Sequence, residues 1–374
     1  MIGWYVHDHG SGHRRRLEAV APHLPVPVVG MGSGVPADGV AWLPLPTDAT
    51  GRPGAAAVDP TAGGALHWAP LGEAGMLGRA QAVAQWVRDT GCRLLVVDVS
   101  VEMLLLARLL GVATVAVVQP GVRDDTAHRL GYDTAATLLA PWPEAAGVSG
   151  ARSERTAWTG AFSRDDAATG AAVGPACDHD GPCVALVLGA GGHRIDRGQV
   201  AAAAAATPGW CWHVAGDLGP AAGPAAGTGR VVEHGTLPDV RGLLQHASVV
   251  VGPSGGGLVA EVAAAGRPFL ALPQPRPFDE QHELARLLAR LGCAEVATTW
   301  PSPPEWAGLL TRLAAGSPTA PGRWARWSDG HGAERAAALL LRTLRAVTPG
   351  ATVTPGASAV ARRPEVPVSS GATR

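Results

Sequence analysis

The chain has 374 residues, 47% of them hydrophobic and 16% charged, so it is long enough for two domains with cores of their own and is not disordered as a whole. Thirty basic side chains stand against thirty-one acidic ones, and a net charge of -1 argues against a protein whose main task is neutralising nucleic-acid phosphates. Lysine and asparagine are absent, which reads as mutational bias towards GC-rich codons and leaves no Asn-x-Ser/Thr glycosylation site.

Five scattered cysteines (Cys92, Cys177, Cys183, Cys211, Cys293) make neither a disulfide framework nor a zinc pattern and point to a reducing compartment. The N-terminus lacks the basic and apolar regions of a signal peptide. The most apolar stretch, 94–118, is broken by Asp98, Glu102 and Arg108 and falls short of a membrane span. A soluble cytoplasmic protein is expected, with peripheral membrane contact left open.

In chain order, short apolar runs alternate with Ala/Leu/Arg-rich segments, the pattern of an α/β protein with parallel strands. The run 2–6 predicts a strand that enters the loop HDHGSGH. A short helix follows, with Leu17, Val20, Ala21 and Leu24 at helical spacing and Pro22 ending it. A strand at 26–29 and a long loop over 47–75 come next, then a helix at 80–88 closed by Gly91. The segment 93–98 reads as a buried strand ending in Asp98, 103–110 as a helix and 112–118 as a strand. Residues 151–181 are rich in Gly, Ala, Ser, Thr and Asp without apolar period and read as a linker.

A second series opens with a strand at 184–188 and the glycine run 189–192. It continues through strands at 210–215 and 230–233, a helix at 240–246 and a strand at 248–251 that enters GPSGGG. A helix at 258–265, a strand at 269–272 and helices at 280–291 and 333–347 complete it, and the tail after Pro349 is expected to be disordered. The division is therefore a first domain over 1–150, a linker over 151–181, a second domain over 182–330, a terminal helix over 331–348 and a tail over 349–374.

Glycine alone proves little in a chain with 50 of them, so context must supply specificity. A strand, then glycines, then a helix start offers free backbone N–H groups and a positive helix end, where phosphates bind in open α/β sheets. In that unit Glu261 follows Ser254 and Gly257 at i+7 and i+4, on one helix face, and can hold a ribose diol. Asp279, Glu280 and Gln281 open the next helix; they are either dipole partners or ligands of sugar hydroxyls. His13 stands at a helix start, as a general base, a phosphate donor or a residue with local contacts only. Asp98 or Glu102 can stand behind it and fix its tautomer. Arg14, Arg15 and Arg16 read as a solvated face or as an attractor for an anionic acceptor. No metal site is expected: the histidines of the first loop match no common zinc spacing, and the string Asp178-His179-Asp180 lies in the linker.

The segment from Glu233 to Ala294, with its GPSGGG turn, Glu261 and the Glu280-Gln281 pair in order, resembles a family of GT-B glycosyltransferases. The resembling group includes the lipid-II-forming N-acetylglucosaminyl transferase of peptidoglycan synthesis, with its family 28-type C-terminal domain. The resemblance implies two Rossmann-like domains with parallel sheets facing a central cleft, a nucleotide-sugar donor held by the second domain, and an acceptor, lipid-linked or small, held by the first. It implies metal-independent inverting transfer without a cofactor. Ser254, Gly255 and Gly256 would cradle the donor phosphates, Glu261 the ribose, and Glu280 and Gln281 the sugar. Gly191 and Gly192 would lie near the cleft, and His13 at the reaction centre. Leu284 stands where many relatives carry Asn. The alternatives are a UDP-sugar 2-epimerase of the same fold, whose Gly-Thr-Arg-Pro-Glu start is missing here, and a non-catalytic nucleotide-sugar-binding protein.

Overall fold

The computed structural model of the chain describes residues 1–8, 10–48, 58–146, 153–164, 166, 181–189, 191–219, 230–315 and 322–348. The first half runs β1 (Ile2–Val6), α1 (Gly12–Val20), β2 (Val28–Gly32), β3 (Ala41–Pro44), α2 (Ala74–Thr90), β4 (Leu94–Asp98), α3 (Val101–Leu109), β5 (Ala113–Val117), α4 (Thr126–Thr134), β6 (Thr137–Ala140) and β7 (Thr156–Trp158). The second runs β8 (Cys183–Val187), α5 (Arg197–Ala205), β9 (Cys211–Ala215), β10 (Arg230–Gly235), α6 (Arg241–His246), β11 (Val249–Gly252), α7 (Gly256–Ala265), β12 (Phe269–Ala271), α8 (Glu280–Arg290), β13 (Glu295–Val296) and α9 (Pro303–Ala315), before a last helix α10 (Gly332–Ala346).

Two all-parallel sheets result, ordered β3-β2-β1-β4-β5-β6-β7 and β10-β9-β8-β11-β12-β13. In each, strand order reverses beside the first strand of its half, between β1 and β4 and between β8 and β11. Those points open a crevice at the carboxyl ends of the strands. β1, β4, β8 and β9 are buried along their whole length, as parallel strands covered on both faces require. Local chemistry sets the helix ends: Ser100 caps α3, Asp196 and Gln199 form a capping box on α5, and left-handed Gly91 and Gly266 stop α2 and α7. Gly252 is required for close packing, since a Cβ there would lie 2.6 Å from the carbonyl of Val187.

Several expectations are corrected here. β3, α4, β6, α5, β13 and α9 went unforeseen. Residues 156–158, read as linker, are β7, the edge strand of the first sheet, because Leu138, Leu139 and Ala140 of β6 pair with them. Cys183 is disulfide-bonded, against the expectation of a reduced set, while Cys92, Cys211 and Cys293 are free and buried. The Asp178–Asp180 string and the tail 349–374 lie outside the described residues. Among the described residues no helix is long and apolar enough to cross a membrane.

α10 returns to the first domain. Its buried face, with Ala333, Ala336, Ala337, Leu340 and Leu344, packs in one cluster with Ile2, Trp4 and Val6 of β1 and Leu17 of α1. Leu340→Ala should therefore destabilise the protein by ~2–5 kcal/mol, the usual cost of emptying a fully buried leucine site. Urea unfolding followed by tryptophan fluorescence measures this, and an unchanged midpoint would remove α10 from the first domain's core.

Candidate active site

β1 and β4 are neighbours, and Val6 pairs with Asp98 in register, so the strand ends bring Asp98 under the loop that starts α1. His13, in the first turn of α1, places Nδ1 2.9 Å from Asp98 Oδ1. Arg16, one turn later, donates to the same oxygen at 2.7 Å and to Gln119 Oε1 at 3.1 Å, and Gln119 Nε2 lies 3.3 Å from Asp98 Oδ1. Asp98 is fully buried. Burial pushes its carboxyl up, but the charges and hydrogen bonds of Arg16 and His13 outweigh this and hold it below the ordinary value of 3.8. The ionised carboxylate accepts the Nδ1 proton of His13, which leaves the lone pair on Nε2, the arrangement a general base needs.

Glu102 does not stand behind His13, which corrects the alternative drawn from the sequence. Its carboxylate accepts the main-chain N–H of His67 at 2.8 Å and of Trp68 at 3.0 Å, and the hydroxyl of Ser100 at 3.1 Å. Between Asp98 and Ser100, Val99 adopts φ 66, a left-handed conformation that a β-branched residue rarely takes. That strained turn aims Asp98 at α1 while the helix it starts carries Glu102 towards the 67–68 segment.

The three arginines are not a solvated face. Arg14 pairs with Glu18, Arg15 with Glu261 of the second domain, and Arg16 with Asp98. Arg16 is the functional neighbour the sequence reading missed; its i+3 spacing from His13 places both on one helix face and could have revealed it.

In the second domain, β11 ends at Gly252 and the turn through Pro253, Ser254 and Gly255 starts α7. The ends of α1 and α7 face each other so closely that a Cβ on Gly257 would lie 3.2 Å from Gly12 Cα. Ser254 departs from its expected role: its hydroxyl is fully buried and donates to the carbonyl of Gln281 at 2.7 Å, fastening the turn to α8. Gln281 is partly engaged too, with Oε1 accepting the Gln274 N–H at 2.8 Å. Glu280 pairs with Arg123 of the first domain at 3.1 Å. Both carboxylates expected at the donor, Glu261 and Glu280, are thus bound to arginines across the cleft. Gly191 and Gly192 border the same space, and Arg276, unremarked in the sequence, donates to the Gly192 carbonyl. The cleft has a volume of about 1590 Å³, and His13, Gly255, Gly256, Glu261, Glu280 and Gln281 all line it.

No family model matches the chain. The solved glycotransferase of kitacinnamycin superposes with a TM-score of 0.64 at 18% identity, covering 91% of this chain and 98% of that one. MurG of Acinetobacter baumannii gives 0.59 at 16% identity, covering 91% and 99%. The chain has the GT-B glycosyltransferase fold. Identities this low establish the fold alone, and the same fold serves a putative UDP-N-acetylglucosamine 2-epimerase from Listeria monocytogenes, with a TM-score of 0.58 at 14% identity over 92% of this chain and 96% of that one. In sequence, a stretch of 60 residues is 47% identical to the UDP-N-acetylglucosamine--N-acetylmuramyl-(pentapeptide) pyrophosphoryl-undecaprenol N-acetylglucosamine transferase of Phenylobacterium zucineum (strain HLK1). That match spans 16% of this chain and 16% of the curated relative.

The Asp98 cluster predicts a pH signature. A carboxyl whose folded value is depressed adds stability that is full above its unfolded value and is lost as pH falls through the folded one. Asp98→Asn should cost about 3 kcal/mol at pH 7, because the partly buried Arg16 is left without its countercharge. The gap from wild type should narrow below about pH 4. Urea titrations from pH 7 to pH 3 test this, and a constant gap would contradict it.

Proposed function

We propose that this GT-B protein is a glycosyltransferase that moves a sugar from a nucleoside diphosphate donor, a UDP-sugar in the leading reading, to an acceptor hydroxyl. The observation that carries the reading is the His13–Asp98 pair facing the glycine-rich start of α7 across one cleft. His13 Nε2 takes the acceptor proton as the acceptor oxygen attacks the anomeric carbon. The bond from that carbon to the diphosphate breaks in the same displacement, with inversion, and the diphosphate leaves with the electron pair. The amides at the start of α7, with Arg15 and Arg16 nearby, supply the positive field that the departing diphosphate needs, so no divalent cation or cofactor is required in this scheme. Glu261 releases Arg15 to hold the ribose, and Glu280 releases Arg123 to reach the sugar.

The first-domain wall of the cleft supports an acceptor with an apolar portion, since Trp68, Met76, Leu105, Leu106 and Leu109 all line it. Such an acceptor can be lipid-linked, with peripheral membrane contact, or a small molecule. The first 150 residues carry 10 Arg against 13 Asp and Glu and offer no overall attraction to anionic lipid. The epimerase reading is tested by incubating UDP-N-acetylglucosamine without acceptor.

A thermal-shift screen of UDP-, GDP- and dTDP-sugars identifies the donor. With that donor, His13→Ala should lower turnover ~10²–10⁴-fold while nucleotide affinity stays within about twofold. Undiminished turnover would take His13 out of the base role, and binding without turnover on any acceptor would favour a non-catalytic protein.

A further inference from the structure

A second set of titratable side chains reaches the cleft. His67, Asp125 and His128 each bring one nitrogen or oxygen to within 4.8 Å of the others. His67 Nε2 lies 3.1 Å from Asp125 Oδ1, and His128 Nδ1 meets the other oxygen, Oδ2. Such spacing suits a metal ion, but Arg123 decides otherwise. Its Nη1 lies 2.9 Å from His128 Nε2. A guanidinium only donates, so His128 Nε2 holds the lone pair and the proton is on Nδ1. A metal on Nδ1 would put the hydrogen on Nε2, directly against the guanidinium. The trio is wired as a hydrogen-bond relay.

The wiring fixes each proton in turn. Burial pushes His128 down to about 4 against the pull of its hydrogen bond to Asp125, and the charge of Arg123 adds to the fall, so the ring is neutral at pH 7. Burial raises the Asp125 carboxyl, but its bonds from His128 and His67 bring it well below the usual range. Ionised Asp125 accepts Nδ1–H of His128 and Nε2–H of His67. With Nε2 turned to Asp125, the uncharged form of the His67 ring carries its lone pair on Nδ1, an atom with no partner among the described residues.

The ring is well held. Glu102 accepts the N–H groups of His67 and Trp68, and Trp68 Nε1 donates to the Asp48 carbonyl at 2.9 Å. Its centroid is 4.3 Å from the ring of His128 and 5.3 Å from that of Phe278, which comes from the second domain. Phe278 takes a left-handed φ of 60, and its carbonyl accepts the N–H of Val122 at 2.8 Å, so the packing joins the two domains. His67, Arg123 and Glu280 share the cleft wall.

We propose that His67 Nδ1 is a hydrogen-bond acceptor for a hydroxyl of the transferred sugar, set in place by the Arg123–His128–Asp125 relay. The proposal rests on the glycosyltransferase reading, in which Glu280, paired with Arg123 in the free protein, leaves it to face that sugar beside the relay. His67 positions the sugar and takes no proton from it, while His13 serves the acceptor.

Calorimetry with UDP-N-acetylglucosamine against UDP, and dTDP-glucose against dTDP, tests it. His67→Ala should weaken the sugar nucleotide that wild type binds by about tenfold and leave the bare diphosphate within about twofold. His67→Gln, whose Oε1 can accept, should restore most of the loss. Independently, ¹⁵N shifts of labelled histidine should give Nε2–H at His67 and Nδ1–H at His128 in the free protein. Equal loss for sugar nucleotide and diphosphate, no loss for either, or an Nδ1–H tautomer at His67 overturns the proposal. Wild-type protein that binds none of the four probes and no GDP-sugar sinks the donor reading, and the sugar assignment with it.

Discussion

The first domain's half of the cleft is organised around one buried negative charge. Asp98 is removed from water at the end of a central strand, where an unpaired carboxylate would cost several kcal/mol. The neighbours that offset this cost, His13, Arg16 and Gln119, come from α1 and from the loop after β5. Satisfying the charge therefore fixes how α1 lies on the sheet, which tautomer His13 adopts and which way Arg16 points. One electrostatic requirement orders the fold and prepares the chemistry together.

The same strand-to-helix turn serves two histidines. Asp98 orients His13 directly, and Glu102 orients His67 through the main chain of its segment. A valine in a left-handed conformation is an unfavourable way to build such a turn, and it persists because the hydrogen bonds on either side over-determine it. Across the cleft the start of α7 meets the start of α1. Both helix starts carry partial positive charge, so the cleft surface beside their contact favours an anion.

Much of this was legible in the sequence, for identifiable reasons. The unit formed by β11, the glycine turn and α7 could be read because turn residues and apolar runs are local signals, and its boundaries moved by only one or two residues. β7 could not, since Thr156–Trp158 has no strand pattern of its own and becomes a strand only by pairing with β6. At the site, spacing showed which residues stand at strand ends but not where their side chains turn. Hence Ser254 was expected in the cleft and is buried against α8, and Glu102 was weighed as the partner of His13 and holds the 67–68 segment. His67 left no signal, because its role comes from residues 58 and 61 positions away in the chain, Asp125 and His128, which only the fold brings near.

The pairs Arg15–Glu261 and Arg123–Glu280 clasp one domain to the other. Arginine keeps its proton throughout the physiological range, so shifts in cellular acidity leave the basic side of both clasps intact. A histidine in either place would have turned the resting protein into a sensor of its medium. With arginine in both places, the two clasps yield to a competing anion and not to a change of acidity.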